Sequence, residues 1–366
     1  MRVVMVTAWY PSVASPVSGV FVHRDAELIA TENDVEIIHL APPGRITPDD
    51  LVVDRRSAIP ITRMTVSRSN PLDLRRVWGP LKASIRRADV LHTQAFNTLM
   101  PFAGRPVDTP WVHSEHWSGI ADPSTLTSRG RVVLRATAPL LRRPDVVTTV
   151  STYLADRVRQ HRRGPISIVP SVVPAAPIVA PPHDDTRIRL VAVGGLVHGK
   201  DPLLALETVR ELHRRGVAAE LTWVGDGPLR ETVEQAARPE DRLELLGAVD
   251  GAGVAAALDA ADVFVLPTRG ETLCLSALEA ITHGRPVVIG ARGGQRDYIV
   301  ADNGVLVEPR TPAAYADAVL SLWRRRAELS PQLVAATIGD RFRPSRVLDG
   351  YHAAYELARG RGSTTR

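Results

Sequence analysis

The chain has 366 residues, a net charge of +5, 44 % hydrophobic and 23 % charged residues, which is long for one hydrophobic core and too apolar for large-scale disorder. No apolar run of about 18 residues marks a membrane span and no signal peptide is evident, so a cytoplasmic protein of two globular domains is expected. A lone cysteine, Cys274, rules out an internal disulfide.

In chain order, short β-branched runs alternate with segments of helical period, the pattern of βα units around a parallel sheet. The first series of strands is expected at Val3–Thr7, Val35–Leu40, Val90–Thr93, Trp111–His113 and Val146–Val150. A second begins near residue 186, with strands at Leu190–Val193, Glu220–Val224, Leu243–Leu246, Val263–Leu266, Pro286–Ile289 and Val305–Val307. Prolines at 170, 174, 177, 181 and 182 separate the two series, and so proline-rich a stretch is a stiff linker. The expected division is therefore a first domain over 1–172, a linker over 173–185 and a second domain over 186–345. Both are α/β and Rossmann-like, and two such sheets facing across a cleft would present both ligands in one place, because parallel sheets bind beyond the carboxyl ends of their strands.

Charge is uneven along the chain. Residues 1–180 hold 22 Lys and Arg against 15 Asp and Glu, while the remainder holds 23 against 25. Arginines 75, 76, 86, 87, 157, 159, 162 and 163 could form a basic face for anionic lipid or an acidic acceptor, or simply a solvated surface. Lys82 and Lys200 are the only lysines.

The connecting loops carry the candidate chemistry. Ala8–Val20 brings Gly19 to the start of a helix, where an anion site and an ordinary turn glycine are both open readings. The segment 111–117 places His113, Glu115 and His116 at a strand end, but 113 and 116 fall on opposite faces of a continued strand, which argues against a metal site. After the first strand of the second series, Gly194-Gly195-Leu196-Val197-His198-Gly199-Lys200 combines close-approach glycines with a point charge suited to phosphate. The turn Gly225-Asp226-Gly227-Pro228 is explained by a tight turn with proline opening a helix. The strongest group is Gly270 to Ala280, where a helix is expected to begin near Thr272 with its amides free for a phosphate or sugar oxygen. Glu271 and Glu279, eight residues apart, would stand about 12 Å apart along such a helix. That is too far for a glycosidase pair; the two would touch different parts of one extended ligand or, as the spacing alone favours, be two solvated helix glutamates.

Together these segments, with Ser18-Gly19-Val20-Phe21, Ser114-Glu115-His116, Asp145 to Ser151, Ile168-Val169-Pro170 and Gly284-Arg285-Pro286-Val287-Val288, resemble glycosyltransferase family 4, the retaining GT-B enzymes, over nearly the whole chain. The resemblance implies that Glu279 binds the ribose of a nucleoside diphosphate sugar, Lys200 the diphosphate, and Glu271 with the amides of Thr272, Leu273, Cys274 and Leu275 the sugar and phosphate. It also implies that Gly194 and Gly195 belong to the phosphate loop and that Val249 meets the base through its backbone. Gly19 would approach from the first domain, His116 would lie beside the reacting sugar, and a last helix near 346–358 would return to the first domain. Gly195 stands where many members have arginine, Thr272-Leu273-Cys274 where Gly-Phe-Gly is usual, Ser171 for Asn and Asp297 for Glu, which leaves the donor undecided.

The implied function is hexosyl transfer from a UDP- or GDP-sugar to an acceptor hydroxyl, retaining and without metal or cofactor. The acceptor is a cyclitol or aminocyclitol, a lipid-linked glycan or a secondary metabolite. Peripheral contact with the inner membrane face is compatible with the basic first domain, and no nucleic acid is implied. A GT-B epimerase, a phosphorylase or a degenerate nucleotide-sugar-binding protein is the alternative.

Overall fold

A computed structural model describes every residue except 17, 55–57, 68–69, 182–185 and 365–366. The chain forms two compact units, Met1–Val172 with Arg343–Arg366, and Val173–Phe342. The proline-rich stretch read as a linker over 173–185 falls, where described, within the second unit, and its last residues, 182–185, lie outside the described residues.

The first unit is a seven-stranded sheet of β1 (Arg2–Thr7), β2 (Asp34–Ala41), β3 (Ile61–Thr65), β4 (Val90–Gln94), β5 (Trp111–Glu115), β6 (Val146–Thr149) and β7 (Ile166–Ile168). Its order is β3-β2-β1-β4-β5-β6-β7 and all pairings are parallel. The inner strands β4, β5 and β6 are buried at every position, as strands covered on both faces must be. The helices Val20–Ala30 and Pro344–Thr364 share one core with the sheet, with Val22, Ala26, Ile29, Val347, Tyr351 and Tyr355 among its buried members.

The second unit is a six-stranded parallel sheet of β8 (Ile188–Val193), β9 (Ala219–Val224), β10 (Leu243–Gly247), β11 (Val263–Leu266), β12 (Val287–Gly290) and β13 (Gly304–Val307), ordered β10-β9-β8-β11-β12-β13. Helices Pro202–Arg214 and Pro312–Arg324 bury Leu206, Val209, Leu212, Val319 and Leu322. In each sheet the chain reverses direction beside its first strand, between β1 and β4 and between β8 and β11. Loops on either side of such a reversal leave a crevice at the carboxyl edge, where open α/β sheets take ligands. The loops leaving β8 and β11 are Gly194–Lys200 and Pro267–Cys274.

β3 and β7 fall outside the expected strands. Both are edge strands without a fully buried residue.

Candidate active site

In the second unit the geometry begins with glycines. Gly194 has φ 155°, and a Cβ there would come within 3.5 Å of the Lys200 side chain. A Cβ on Gly225 would strike the Gly194 carbonyl oxygen at 2.2 Å, and one on Gly227 the Leu196 oxygen at 2.5 Å. The turn after β9 is thus pressed against the loop after β8, held by Leu196 N to Asp226 O (3.0 Å) and Trp223 Nε1 to Gly194 O (2.8 Å). This corrects the simpler account of that turn. The following helix starts at Arg230, so Pro228 does not open it, and the glycines are there for close backbone approach.

Lys200 Nζ donates to Glu271 Oε1 at 2.5 Å, and Thr268 Oγ1 donates to the same oxygen at 2.7 Å. Arg269 N to Gly199 O (2.8 Å) ties the two loops at the backbone. Burial of Lys200 works against its charge, but the negative charge of Glu271 and the hydrogen bond that Lys200 donates to it hold the ammonium above its ordinary value. Lys200 is therefore charged, with one of its three donors engaged by Glu271.

The expected helix start at Thr272 is wrong. The helix is Leu275–Thr282, preceded by Cys274 in the left-handed region at φ 68°, ψ 78°. Glu271 lies before it, bridged in parallel to Gly293, whose φ of 135° and 2.2 Å clearance from the Glu271 oxygen admit no side chain. The two glutamates consequently do not share one helix, and the rise computed for that arrangement does not apply. Glu279 is one turn inside the helix, half-buried. Tyr298 Oη donates to Leu273 O (2.8 Å) and Cys274 O (3.1 Å), fixing the irregular turn from below. Thr272 is half-buried and Leu273 buried in that turn, and the first helical amides, from Leu275 on, have no intrahelical acceptor. Burial, with Glu271 nearby, pushes the Cys274 thiol up to about 12, so it is no nucleophile. Gly195 follows Gly194, its Cβ direction 3.4 Å from Asp226 O. Val249 is exposed just after β10, the edge strand two places from β8.

In the first unit Gly19 caps the helix Val20–Ala30 at φ 70°, ψ 25°, and a Cβ would lie 2.3 Å from the Trp9 carbonyl. The turn requires glycine on both counts. Phe21, two residues on, packs on the His116 ring at 4.9 Å. His116 Nε2 meets Gln94 Oε1 at 2.9 Å, so Gln94, at the end of β4, orients it. Desolvation first, then the neighbouring His113, pushes His116 down to about 3, and the imidazole is neutral at ordinary pH. Glu115 is spent on structure, accepting from the amides of His116 (2.9 Å) and Trp117 (2.7 Å), with His113 Nε2 at 3.3 Å. Among the described residues no group of three or more His, Cys, Asp or Glu has metal-binding geometry. Gln94, Thr268 and Tyr298 were not singled out by sequence reasoning. Their only sequence signal was position, at or just past a strand end for the first two.

Of the arginines read as one basic face, Arg162 is excluded. It is 4 % exposed and donates to the carbonyls of Leu141 (2.7 Å), Pro144 (3.1 Å) and Asp145 (3.1 Å), and burial, with Arg361, pulls it down to about 10.

Known structures share this architecture. Sucrose-phosphate synthase from Thermosynechococcus elongatus aligns with a TM-score of 0.76 over 97 % of this chain and 98 % of its own, at 17 % identity. Anabaena HepE in complex with UDP and glucose aligns at 0.76 over 97 % and 99 %, at 14 % identity. Two parallel-sheet Rossmann-like units of this kind define the GT-B fold. The profile described as Glycosyltransferase Family 4 matches residues 22–176, and that of Glycosyl transferases group 1 matches residues 187–325. The 2-deoxystreptamine N-acetyl-D-glucosaminyltransferase of Streptomyces fradiae is 29 % identical over 325 residues, 79 % of this chain and 75 % of the relative. The D-inositol 3-phosphate glycosyltransferase of Geodermatophilus obscurus is 43 % identical over 100 residues, 27 % of this chain and 22 % of the relative. The chain belongs to glycosyltransferase family 4 and is a glycosyltransferase that uses a nucleotide-sugar donor. No helix among the described residues is long and apolar enough to cross a membrane.

Proposed function

We propose that the chain transfers a hexosyl group from a UDP- or GDP-sugar to a cyclitol hydroxyl, with retention of the α configuration and without an essential metal. The observation that carries this reading is the Lys200–Glu271 pair at the reversal between β8 and β11. Lys200 keeps two donors for diphosphate oxygens while Glu271 holds it in place, and the amides from Thr272 to Leu275 face the same charge. Donors positioned in advance where negative charge develops on the leaving group lower the barrier most effectively, and here they take the part a metal plays elsewhere. Glu279 is assigned to the ribose. No carboxylate is placed as a covalent nucleophile, which favours a front-face reaction in which the leaving phosphate takes the acceptor proton. Neutral His116, oriented by Gln94, is assigned a hydrogen bond to the reacting sugar, and Gly19 close backbone approach to the donor.

For the acceptor, the first unit offers a polar cavity of about 180 Å³ at the ends of β1 and β2. Its lining includes Tyr10, Ser12, Ser15, Ser18, His39 and Arg45, with His39 pushed down to about 4 by burial and so neutral, and no carboxylate is among the described lining residues. Such a lining suits an uncharged or phosphorylated cyclitol better than a cationic aminocyclitol. The names of the relatives, which act on 2-deoxystreptamine or inositol 3-phosphate, support the polyol class.

Mass spectrometry of UDP- and GDP-sugars incubated with inositol, inositol 3-phosphate and 2-deoxystreptamine is expected to give a hexosyl adduct of an inositol, α-configured by NMR. Transfer only to 2-deoxystreptamine would overturn the acceptor assignment, and donor turnover without acceptor would point to an epimerase. Activity is expected to be unchanged in excess EDTA, and loss restored by Mg²⁺ or Mn²⁺ would end the metal-free mechanism. Contact of the basic first unit with anionic membrane is also proposed, carried by Arg75, Arg76, Arg86, Arg87, Arg159 and Arg163, all exposed. Sedimentation with phosphatidylserine vesicles is expected at low salt and is lost at high salt as screening shortens. Absence of binding at low salt refutes it.

A further inference from the structure

Lys200 and Glu271 meet from two irregular loops, and the pair is only as well placed as those loops are. The loop after β8 ends at Asp201, which precedes helix Pro202–Arg214 in the left-handed region at φ 53°, ψ 60°. The loop after β11 begins with Pro267 and Thr268, and Thr268 Oγ1 donates to the same Glu271 oxygen that Lys200 holds. The residue that bridges the two comes from neither loop. Arg310 follows β13, which is separated from β11 by β12. Its Nη1 donates to Pro267 O (2.8 Å) and Thr268 O (2.7 Å), and its Nη2 donates to Asp201 Oδ2. One guanidinium thus ties the carboxyl end of β11 to the residue next to Lys200.

The surroundings are built for this crossing. At the end of β12, a Cβ on Gly290 would stand 2.2 Å from Thr268 O, so glycine there leaves that carbonyl to Arg310. Arg269 adds a second strap, Nη2 to the same Asp201 oxygen at 2.8 Å and Nε to His198 O at 3.2 Å. Its side chain is 44 % exposed, against 29 % for Arg310 and 17 % for Asp201, so solvent screening makes it the weaker of the two. The planar fork of Arg310 serves its acceptors at fixed angles, which the single ammonium of a lysine does not reproduce. Neither Arg310 nor Asp201 hydrogen-bonds the Lys200 ammonium or the Glu271 carboxylate, so what they do for the pair they do by holding its loops.

We propose that Arg310, through Asp201 and the carbonyls of Pro267 and Thr268, is a positioning residue for the transfer reaction, setting where the Lys200 ammonium stands relative to the donor diphosphate. This rests on the reading of Lys200 as the diphosphate ligand. Misplacing a group by about 1 Å can cost on the order of 100-fold in rate, so a brace beside Lys200 bears on turnover as well as on nucleotide affinity.

The test is a double-mutant cycle on the intact chain, with UDP and GDP affinities read by calorimetry and folding by melting temperature. Lys200→Ala is expected to weaken whichever nucleotide the chain binds by about tenfold or more, the scale of a charged hydrogen bond. Arg310→Ala is expected to weaken it by about tenfold in the parent but by less than about twofold in the Lys200→Ala background, because without the ammonium the brace has nothing to place. A residue that merely supports the domain would cost the same in both backgrounds. Asp201→Asn keeps a side chain that tolerates the left-handed backbone and removes the charge that Arg310 meets. It is expected to show the same dependence on Lys200 at a smaller size, and it decides the matter if Arg310→Ala fails to fold. With Lys200→Ala weakened, equal losses in the two backgrounds, or parent affinity in a folded Arg310→Ala or, failing that, in Asp201→Asn, would overturn the positioning role alone. Parent affinity in Lys200→Ala would instead overturn the diphosphate reading, and the positioning role with it.

Discussion

Glu271 and Lys200 are 71 residues apart in the chain and share a hydrogen bond, whereas Glu271 and Glu279, only eight apart, belong to different local structures. Sequence spacing suggested the opposite grouping, because it assumed an unbroken helix through Cys274. The left-handed backbone at Cys274 breaks it, and nothing in the residue's identity announces this, since left-handed positions usually carry glycine or asparagine. The usual glycine at this position in the family was the one available sign. The separation gives the two glutamates different expected roles. Glu279→Gln should weaken nucleotide binding in calorimetry by about 10- to 150-fold, the equivalent of a charged hydrogen bond of about 1.5 to 3 kcal/mol. Glu271→Gln should bind nucleotide nearly as the parent does but transfer sugar poorly, because it frees Lys200 and loses contact with the group whose bonding changes. Equal loss of nucleotide in both variants, or no change in either, would refute this division.

The elements legible in the sequence were those whose side chains are buried on both faces. β1 and β11 read as apolar runs, and β4 and β6 as short β-branched or apolar starts, because nearly every position is inside. β3, with Ile61-Thr62-Arg63-Met64-Thr65, and β7, with Ile166-Ser167-Ile168, are half-exposed edges, so burial left no comparable run to read. Contacts between elements were less legible still. Helix Val20–Ala30 buries Asp25 completely, its Oδ2 accepting from Tyr351 of helix Pro344–Thr364 at 2.8 Å. Burial pushes the Asp25 carboxyl up to about 7, against the lowering effects of the Tyr351 hydrogen bond and Arg24. An unfolded aspartate titrates near 3.8. Between that pH and about 7 the folded chain therefore holds a proton that the unfolded chain releases. The stability associated with neutral Asp25 is complete below this window and declines by up to about 1.4 kcal/mol per pH unit across it, levelling above pH 7. Asp25→Asn keeps an acceptor for Tyr351 without the titration. Its melting temperature is expected to exceed that of the parent at pH 8 and to match it near pH 4, and an equal or lower value at pH 8 would contradict the burial argument.

At the scale of the whole molecule the two units differ in how the chain makes them. Val173–Phe342 is continuous, and Val173 N donates to Phe342 O at 3.1 Å where the segment begins and ends. The first unit is discontinuous and depends on Pro344–Thr364, whose Val347, Leu348, Tyr351 and Tyr355 are all buried in its core. It also carries the charge, with 27 Lys and Arg against 17 Asp and Glu in 1–172 and 343–366, while 173–342 holds 18 against 23. Deleting the last helix would uncover the apolar partners of those four side chains, worth about 1.5 to 3 kcal/mol for each large one. That is comparable to the whole stability of a domain, about 5 to 15 kcal/mol. A fragment of residues 173–342 is accordingly expected to melt cooperatively in calorimetry and to bind UDP or GDP, because Gly194, Lys200, Glu271 and Glu279 all lie within it. A fragment of residues 1–172 is expected to lack the near-ultraviolet circular dichroism of fixed tertiary packing, and to recover it when a peptide of residues 343–366 is added. Native-like dichroism of 1–172 without the peptide would show that the helix is dispensable to that core, and failure of 173–342 to fold would show that the second unit depends on the rest of the chain.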